Sequence, residues 1–330
     1  MTDPEICAAV RQHYGLAVRA VERIDRGSAA LFKLYGSEAA FILKVFQPKF
    51  RADSILREVH VTDFLRQNGI SVPEYIPCRN GDFYFMQNGR IAILQAFIPG
   101  QTREKGCCSK RELLDSARLL AQIVNALEHY PYDDLLPCEI SRYGSAARLL
   151  QAKAACADLM AAAHADAVHG AEICRDLQDR LVMIARVSDA GAFVNTNALT
   201  LKRSHGDYSV MQLLYDGSKI KAVLDFVNAG EVPIAWELIR SYSYMDCTFN
   251  AARLAAYTNE YRRYAEVSMD DLRYMPYLYL DQLLSSTYGY KQYLQTGDEE
   301  LLAFGRWRTE MCRYLIANAG EVSAELVRLA

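Results

Sequence analysis

Apolar positions recur along this chain in two rhythms, and the change from one to the other falls near residue 98. Before it, short runs rich in β-branched and aromatic residues alternate with turn residues and predict strands over 16–24, 30–35, 41–46, 83–87 and 91–97. One clear helix interrupts them, over 53–67, opened by Asp53 or Ser54 and closed by Asn68-Gly69. After Pro99-Gly100 the pattern becomes helical, predicting helices over 110–130, 146–163, 170–187, 251–265, 277–295 and 299–317. Between them, residues 199–227 return to strand-like runs around Tyr215-Asp216-Gly217-Ser218, which fits a hairpin. The expectation is an α+β chain with a small β-sheet N-lobe holding one helix (residues 1–98), a linker near 94–101, and a larger, mainly helical C-lobe (residues 99–330). A cleft between lobes is where a ligand would sit.

Composition narrows the classes. With 330 residues, 51% of them hydrophobic, the chain can bury one large core or two medium ones. A net charge of −3 and a pI near 6.1 give no broad basic field, which argues against nucleic acid as a partner. The N-terminus has neither a basic stretch nor a long apolar one, and no apolar run approaches the roughly 18 residues a membrane span needs. A cytoplasmic protein without a membrane partner is expected. Its nine cysteines include no C-x-x-C pair, so reduced thiols are the expected state. His164 and His169 fall on different sides of a helix and read as surface residues.

The chemistry concentrates around the hairpin. His205-Gly206-Asp207-Tyr208-Ser209-Val210-Met211-Gln212 precedes it and Leu224-Asp225-Phe226 follows it. Phosphoryl transfer needs one carboxylate to orient the attacking hydroxyl and another to hold a metal against the phosphates, and Asp207 and Asp225 can divide that labour. Lys44 lies in the apolar run Phe41-Ile42-Leu43-Lys44-Val45-Phe46, so a strand would carry its ammonium onto a largely buried face that demands an anion. Glu58 shares a helix face with Ile55, Thr62 and Leu65 and can supply it. A lysine on an edge strand beside a solvated glutamate is the alternative. Gly27-Ser28-Ala29-Ala30 has residues small enough for backbone amides to approach phosphate, although an ordinary turn fits as well. There is no G-x-x-x-x-G-K-[ST] motif, which disfavours the P-loop class.

Together these residues resemble the aminoglycoside phosphotransferase and choline kinase family, small-molecule phosphotransferases with the bilobal protein-kinase-like fold. The resemblance spans most of the chain. It implies an enzyme that uses ATP and Mg²⁺, with Asp207 as the catalytic aspartate and Asp225 as a metal ligand. Gln212 stands where the family usually has a metal-binding Asn, offering the same carbonyl oxygen on a longer stem. The resemblance also implies that Lys44, positioned by Glu58, holds the α- and β-phosphates, with Gly27 and Ser28 in the nucleotide loop. Residues 92–100 resemble the hinge, with the Gln95 carbonyl and Phe97 amide as adenine contacts. Glu237 aligns with an acid that braces the catalytic loop.

The acceptor implied is a hydroxyl of a small molecule: an amino sugar, a choline-like alcohol, a homoserine-like amino acid or a sugar. Tyr242, Tyr244, Tyr277, Tyr279, Tyr288 and Tyr290 can cage a quaternary ammonium or pack the core. Asp246 and Asp281 can meet a cationic acceptor or lie solvated on the surface. The rival to an active kinase is a catalytically inactive kinase-like protein that binds nucleotide or metabolite and acts through a partner.

Overall fold

The computed structural model describes residues 2–24, 29–189 and 194–329. They form two compact units, one of Met1–Pro137, Lys202–Glu231 and Tyr244–Thr248, the other of Cys138–Leu201, Val232–Ser243 and Phe249–Ala330.

In the first unit, strands β1 (Ala20–Ile24), β2 (Ala30–Tyr35), β3 (Ala40–Val45), β4 (Tyr75–Ile76), β5 (Phe85–Gln87) and β6 (Arg90–Ala96) make one sheet. It runs β1-β2-β3-β6-β4, with β5 paired to β6, and every pairing is antiparallel. Alternation along β3 and β6 gives the sheet two apolar faces, and each needs a cover. Leu43, Val45 and Leu94 face α1 (Asp3–Tyr14), which contributes Ile6, Ala9 and Val10. Phe46, Ile91 and Ile93 face α2 (Ala52–Gln67), which contributes Ile55 and Val59. The apolar rhythm reveals α2 but not α1, whose stripe is short and partly alanine.

Helix α3 (Lys110–Leu127) starts in a capping box, Ser109 Oγ accepting from Glu112 N while the Glu112 carboxylate accepts from Ser109 N. Strand β7 (Leu201–Ser204) precedes the expected hairpin, β8 (Leu213–Asp216) and β9 (Lys219–Val223), which turns at Gly217-Ser218. Past β6 the chain is stitched to that hairpin, because Gln101 and Tyr215 exchange backbone hydrogen bonds of 2.8 Å in both directions.

Most of the second unit is helical, comprising α4 (Ala146–Ala163), α5 (Gly170–Asp189), α7 (Ala251–Arg262), α8 (Met269–Leu284), α9 (Tyr288–Thr296), α10 (Glu299–Arg328) and most of α6 (Ile234–Met245), which follows β10 (Gly230–Pro233). The single helix expected over 277–295 is two, broken at Ser285-Ser286-Thr287, three residues of modest helix propensity. Arg180 of α5 stabilises the break by donating to the Leu284 and Ser286 carbonyls at 3.1 and 2.9 Å, groups a helix end leaves without partners. Helix α10 runs past the expected stop at residue 317, because its buried stripe of Leu315, Ala319, Val322 and Leu326 continues beyond Gly320.

Among the described residues no helix is long and apolar enough to cross a membrane. The nine cysteines are free thiols.

Candidate active site

The first unit gathers most of the residues singled out by the sequence. Lys44 of β3 points to the α2 face, where its Nζ lies 3.0 Å from Glu58 Oε1 and 2.7 Å from Asp225 Oδ1. Burial alone would strip the Lys44 charge, but the two carboxylates outweigh it and hold the ammonium above its ordinary range. Burial likewise opposes ionisation of Asp225, and the Lys44 charge overrides it, so that carboxyl titrates below its usual value. Glu58 goes the other way: it is fully enclosed, and burial raises its carboxyl despite the lysine.

Tyr75, in a strand too short to read from the sequence, donates its hydroxyl to Glu58 Oε1 at 2.8 Å and fixes that carboxylate from behind. Arg57, next to Glu58 on α2, is buried and donates to the Val227 carbonyl at 2.9 Å. Helix α2 therefore grips the Asp225 segment twice, once through Lys44 and once through Arg57. The signal for Arg57 was slight, a cation sharing a helix stripe with Val61.

Asp225 itself adopts a left-handed backbone (φ 68°, ψ 60°), uncommon for a residue with a side chain and held here by its surroundings. The buried ring of His205 supplies much of the restraint. Its Nε2–H donates to the Leu224 carbonyl at 2.9 Å, its Nδ1 accepts from the Asp207 amide at 3.3 Å, and Phe226 lies against it at 4.5 Å between centroids. One imidazole thus spans the backbones that carry the two aspartates. Leu224 N also donates to the Gln212 carbonyl at 2.8 Å, closing the loop at the base of the hairpin. On the far side, Tyr208 is buried against α3 and donates to the Ser116 carbonyl at 3.0 Å, so the residue after Asp207 is an anchor.

Gln212 turns its amide inward. Its Oε1 accepts from Ser209 Oγ at 2.5 Å, and its Nε2 lies 3.5 Å from Asp207 Oδ2. Asp225, with 40% of its side chain exposed, offers a carboxylate oxygen and Gln212 an amide oxygen that already accepts from Ser209, and both are of the hard oxygen type that Mg²⁺ takes. Among the described residues no three His, Cys, Asp or Glu side chains converge into a closed metal cage.

Gly206 makes the loop possible. Its φ is +75°, and a Cβ there would lie 2.0 Å from the Asn228 carbonyl oxygen. Gly206→Ala combines a left-handed penalty with a backbone clash and is expected to lose about 3 kcal/mol of stability in urea denaturation. Gly217→Ala, also at positive φ (+56°) but with nothing within 4 Å of a Cβ, is expected to lose only about 1 kcal/mol. Equal losses would mean that the Asn228 contact carries no strain.

The stretch that resembles a hinge differs from expectation at the Phe97 amide. The Phe97 amide donates to the Ala40 carbonyl at 3.0 Å, because the β3 pairing continues one residue beyond β6, and so it is already satisfied inside the sheet. Gln95 lies in register between Ile42 and Tyr75. Gly27 and Ser28 lie outside the described residues. In the second unit, Glu237 is buried in the first turn of α6. Tyr242, Tyr279 and Tyr290 are interior residues whose hydroxyls meet the Asn250 carbonyl, Ser243 and Asp176, while Tyr288 is exposed. Asp246 and Asp281 are not solvated surface acids, being 3% and 6% exposed.

No curated protein matches the sequence. Among solved structures, spectinomycin phosphotransferase APH(9)-Ia in complex with ADP and spectinomycin superposes with a TM-score of 0.66 at 11% identity, covering 99% of each chain. Amicoumacin kinase hAmiN, in complex with AMP-PNP and Ca²⁺, gives 0.65 at 12% identity over 95% of this chain and 94% of that one. A microcompartment-associated aminopropanol kinase gives 0.63 at 14% identity over 99% and 100%. These likenesses establish the fold. The phosphotransferase enzyme family matches residues 20–267, which include Lys44, Glu58, Asp207, Gln212 and Asp225. The chain belongs to that family, and with it to the small-molecule kinases that phosphorylate a hydroxyl group.

Proposed function

We propose that the protein transfers the γ-phosphate of ATP to a hydroxyl of a small molecule, an amino sugar, choline-like alcohol, homoserine-like amino acid or sugar. The observation that carries this reading is the connected node in which Lys44 bridges Glu58 and Asp225 while His205 ties the Asp225 segment to Asp207. Lys44, steadied by Glu58 and Tyr75, is the cation for the α- and β-phosphates. Asp207 accepts or orients the proton of the attacking hydroxyl. Asp225 and Gln212 would hold Mg²⁺, which when bound neutralises charge on the β- and γ-phosphates. The Gln95 carbonyl, which faces Ile42 in the same register, is the candidate adenine contact through its second lone pair, and Gly27 and Ser28 are the candidate nucleotide loop. In this reading residues 1–98 supply the nucleotide groups and 99–330 the catalytic and acceptor groups, in the cytoplasm.

A second reading draws on one observation, the 2.5 Å hydrogen bond that occupies Gln212 Oε1 with Ser209. If that bond holds Gln212 away from the metal with nucleotide present, Asp225 is left as the one proposed ligand, and the reading becomes a kinase-like protein that binds nucleotide without turnover.

Incubating a cell metabolite extract with ATP, Mg²⁺ and either the protein or its Asp207→Ala variant, followed by untargeted mass spectrometry, separates the two. A phosphorylated product made only by the unaltered protein is the expected result and identifies the acceptor. ATP binding without any product favours the second reading.

A further inference from the structure

The first unit brings together two thiols that the phosphotransfer chemistry above does not use, Cys107 and Cys247. Residues 104–107 form a turn, the Cys107 amide donating to the Glu104 carbonyl at 3.3 Å, and the Gly106 amide donates across to the Tyr244 carbonyl at 2.9 Å. The turn rests on Cys247: a Cβ added to Gly106, whose φ is +75°, would lie 3.1 Å from both Cβ and Sγ of that cysteine. Cys107 follows directly, which puts its Cα within about 8.5 Å of the Cys247 Cβ. Bonded cysteines usually have Cα atoms about 4.4–6.8 Å apart, so a shift of a few ångströms in the turn closes the gap.

Neighbouring anchors keep the turn beside Cys247. Before it, Gln101 pairs with Tyr215 and Arg103 donates to the Gly217 carbonyl at 2.6 Å; after it, Ser109 caps α3. The two sulfurs differ in access. Cys107 is exposed, whereas Cys247 is half-buried, and burial raises its thiol, opposed by the Lys105 ammonium and reinforced by Asp246 and by charge on Cys107. An oxidant reaches the exposed thiol first and leaves the half-buried one to react second.

We propose that Cys107 and Cys247 form an oxidation site, joined by a disulfide when the protein meets hydrogen peroxide. The Cys107 thiolate attacks one peroxide oxygen, the O–O bond breaks, and a sulfenic acid and water result. The Cys247 sulfur then attacks the Cys107 sulfur, the S–O bond breaks, and a second water leaves as the S–S bond forms. The two thiols lose two electrons and two protons, and the peroxide takes both. A bond that forms on oxidation and is otherwise open agrees with the free thiols of this structure. It closes a loop that carries Asp207, Gln212 and Asp225. The chemistry needs neither nucleotide nor acceptor, so it stands or falls apart from the proposed phosphotransfer.

The test is peptide mass spectrometry of the full chain, first reduced, then treated with a small excess of hydrogen peroxide and alkylated without reductant. Cys107 and Cys247 are expected in one cross-linked peptide pair, at least tenfold more abundant than any other pairing among the nine cysteines, and dithiothreitol is expected to restore both thiols. In Cys247→Ser the second step has no sulfur, so Cys107 is expected to stop at the sulfenic acid, which dimedone traps at least tenfold more than in the unaltered protein. A larger yield of any other pairing, a cross-link between two copies of the chain in place of one within it, or no gain of dimedone labelling at Cys107 in Cys247→Ser overturns the proposal.

Discussion

Asparagine at position 207 is expected to lower turnover by about 10³-fold while leaving nucleotide affinity unchanged within error. The substitution replaces one carboxylate oxygen by an amide nitrogen and leaves the loop's supports in place. The position 207 amide still donates to His205 Nδ1, Tyr208 remains anchored on Ser116, and Gly206 still passes beneath Asn228. What disappears, in the proposed reading, is the basicity that draws a proton from the acceptor hydroxyl. Because Lys44 pairs with Glu58 and Asp225, the expected phosphate-binding node does not depend on the Asp207 charge. Steady-state kinetics alongside calorimetric titration with nucleotide separates the two effects. A fall in nucleotide affinity as large as the fall in turnover would show that Asp207 belongs to the nucleotide site instead.

Whether a feature could be read from the sequence depended on how local its cause is. Lys44 was legible because an ammonium in an unbroken apolar run needs an anion, and Glu58 because helical spacing fixes its face; the structure joins them at 3.0 Å. The hairpin was legible because Gly217-Ser218 sits between two apolar runs. Tyr75 was not, since a two-residue strand leaves no alternation to detect, and Arg57 was not, since its partner is a carbonyl 170 positions away. The Phe97 amide shows another limit. Backbone donors carry no side-chain signature, and only the register of β3 against β6 reveals that Ala40 takes this one. Asp281 makes the converse point, because an acid flanked by Leu280 and Gln282 gives no local sign that the fold buries it.

Asparagine at position 225 should produce the opposite pattern from position 207, a loss of metal-dependent nucleotide binding. Asn is among the side chains that best tolerate the left-handed backbone found there, so φ 68° should survive and the effect should report charge alone. Removing the carboxylate leaves Lys44 paired with Glu58 and, in the proposed reading, deprives Mg²⁺ of its charged oxygen. A charge-assisted interaction contributes about 1.5–3 kcal/mol, so nucleotide affinity with Mg²⁺ present is expected to fall by about 10- to 150-fold. Affinity measured in excess chelator should stay near that of the unaltered protein, because the Lys44–Glu58 pair persists. Arg57→Met serves as the comparison, since it loosens the same segment at the Val227 carbonyl without touching a charge on Asp225. If Asp225→Asn weakens binding equally with and without metal, the Asp225 carboxylate acts by orienting Lys44 rather than by holding an ion.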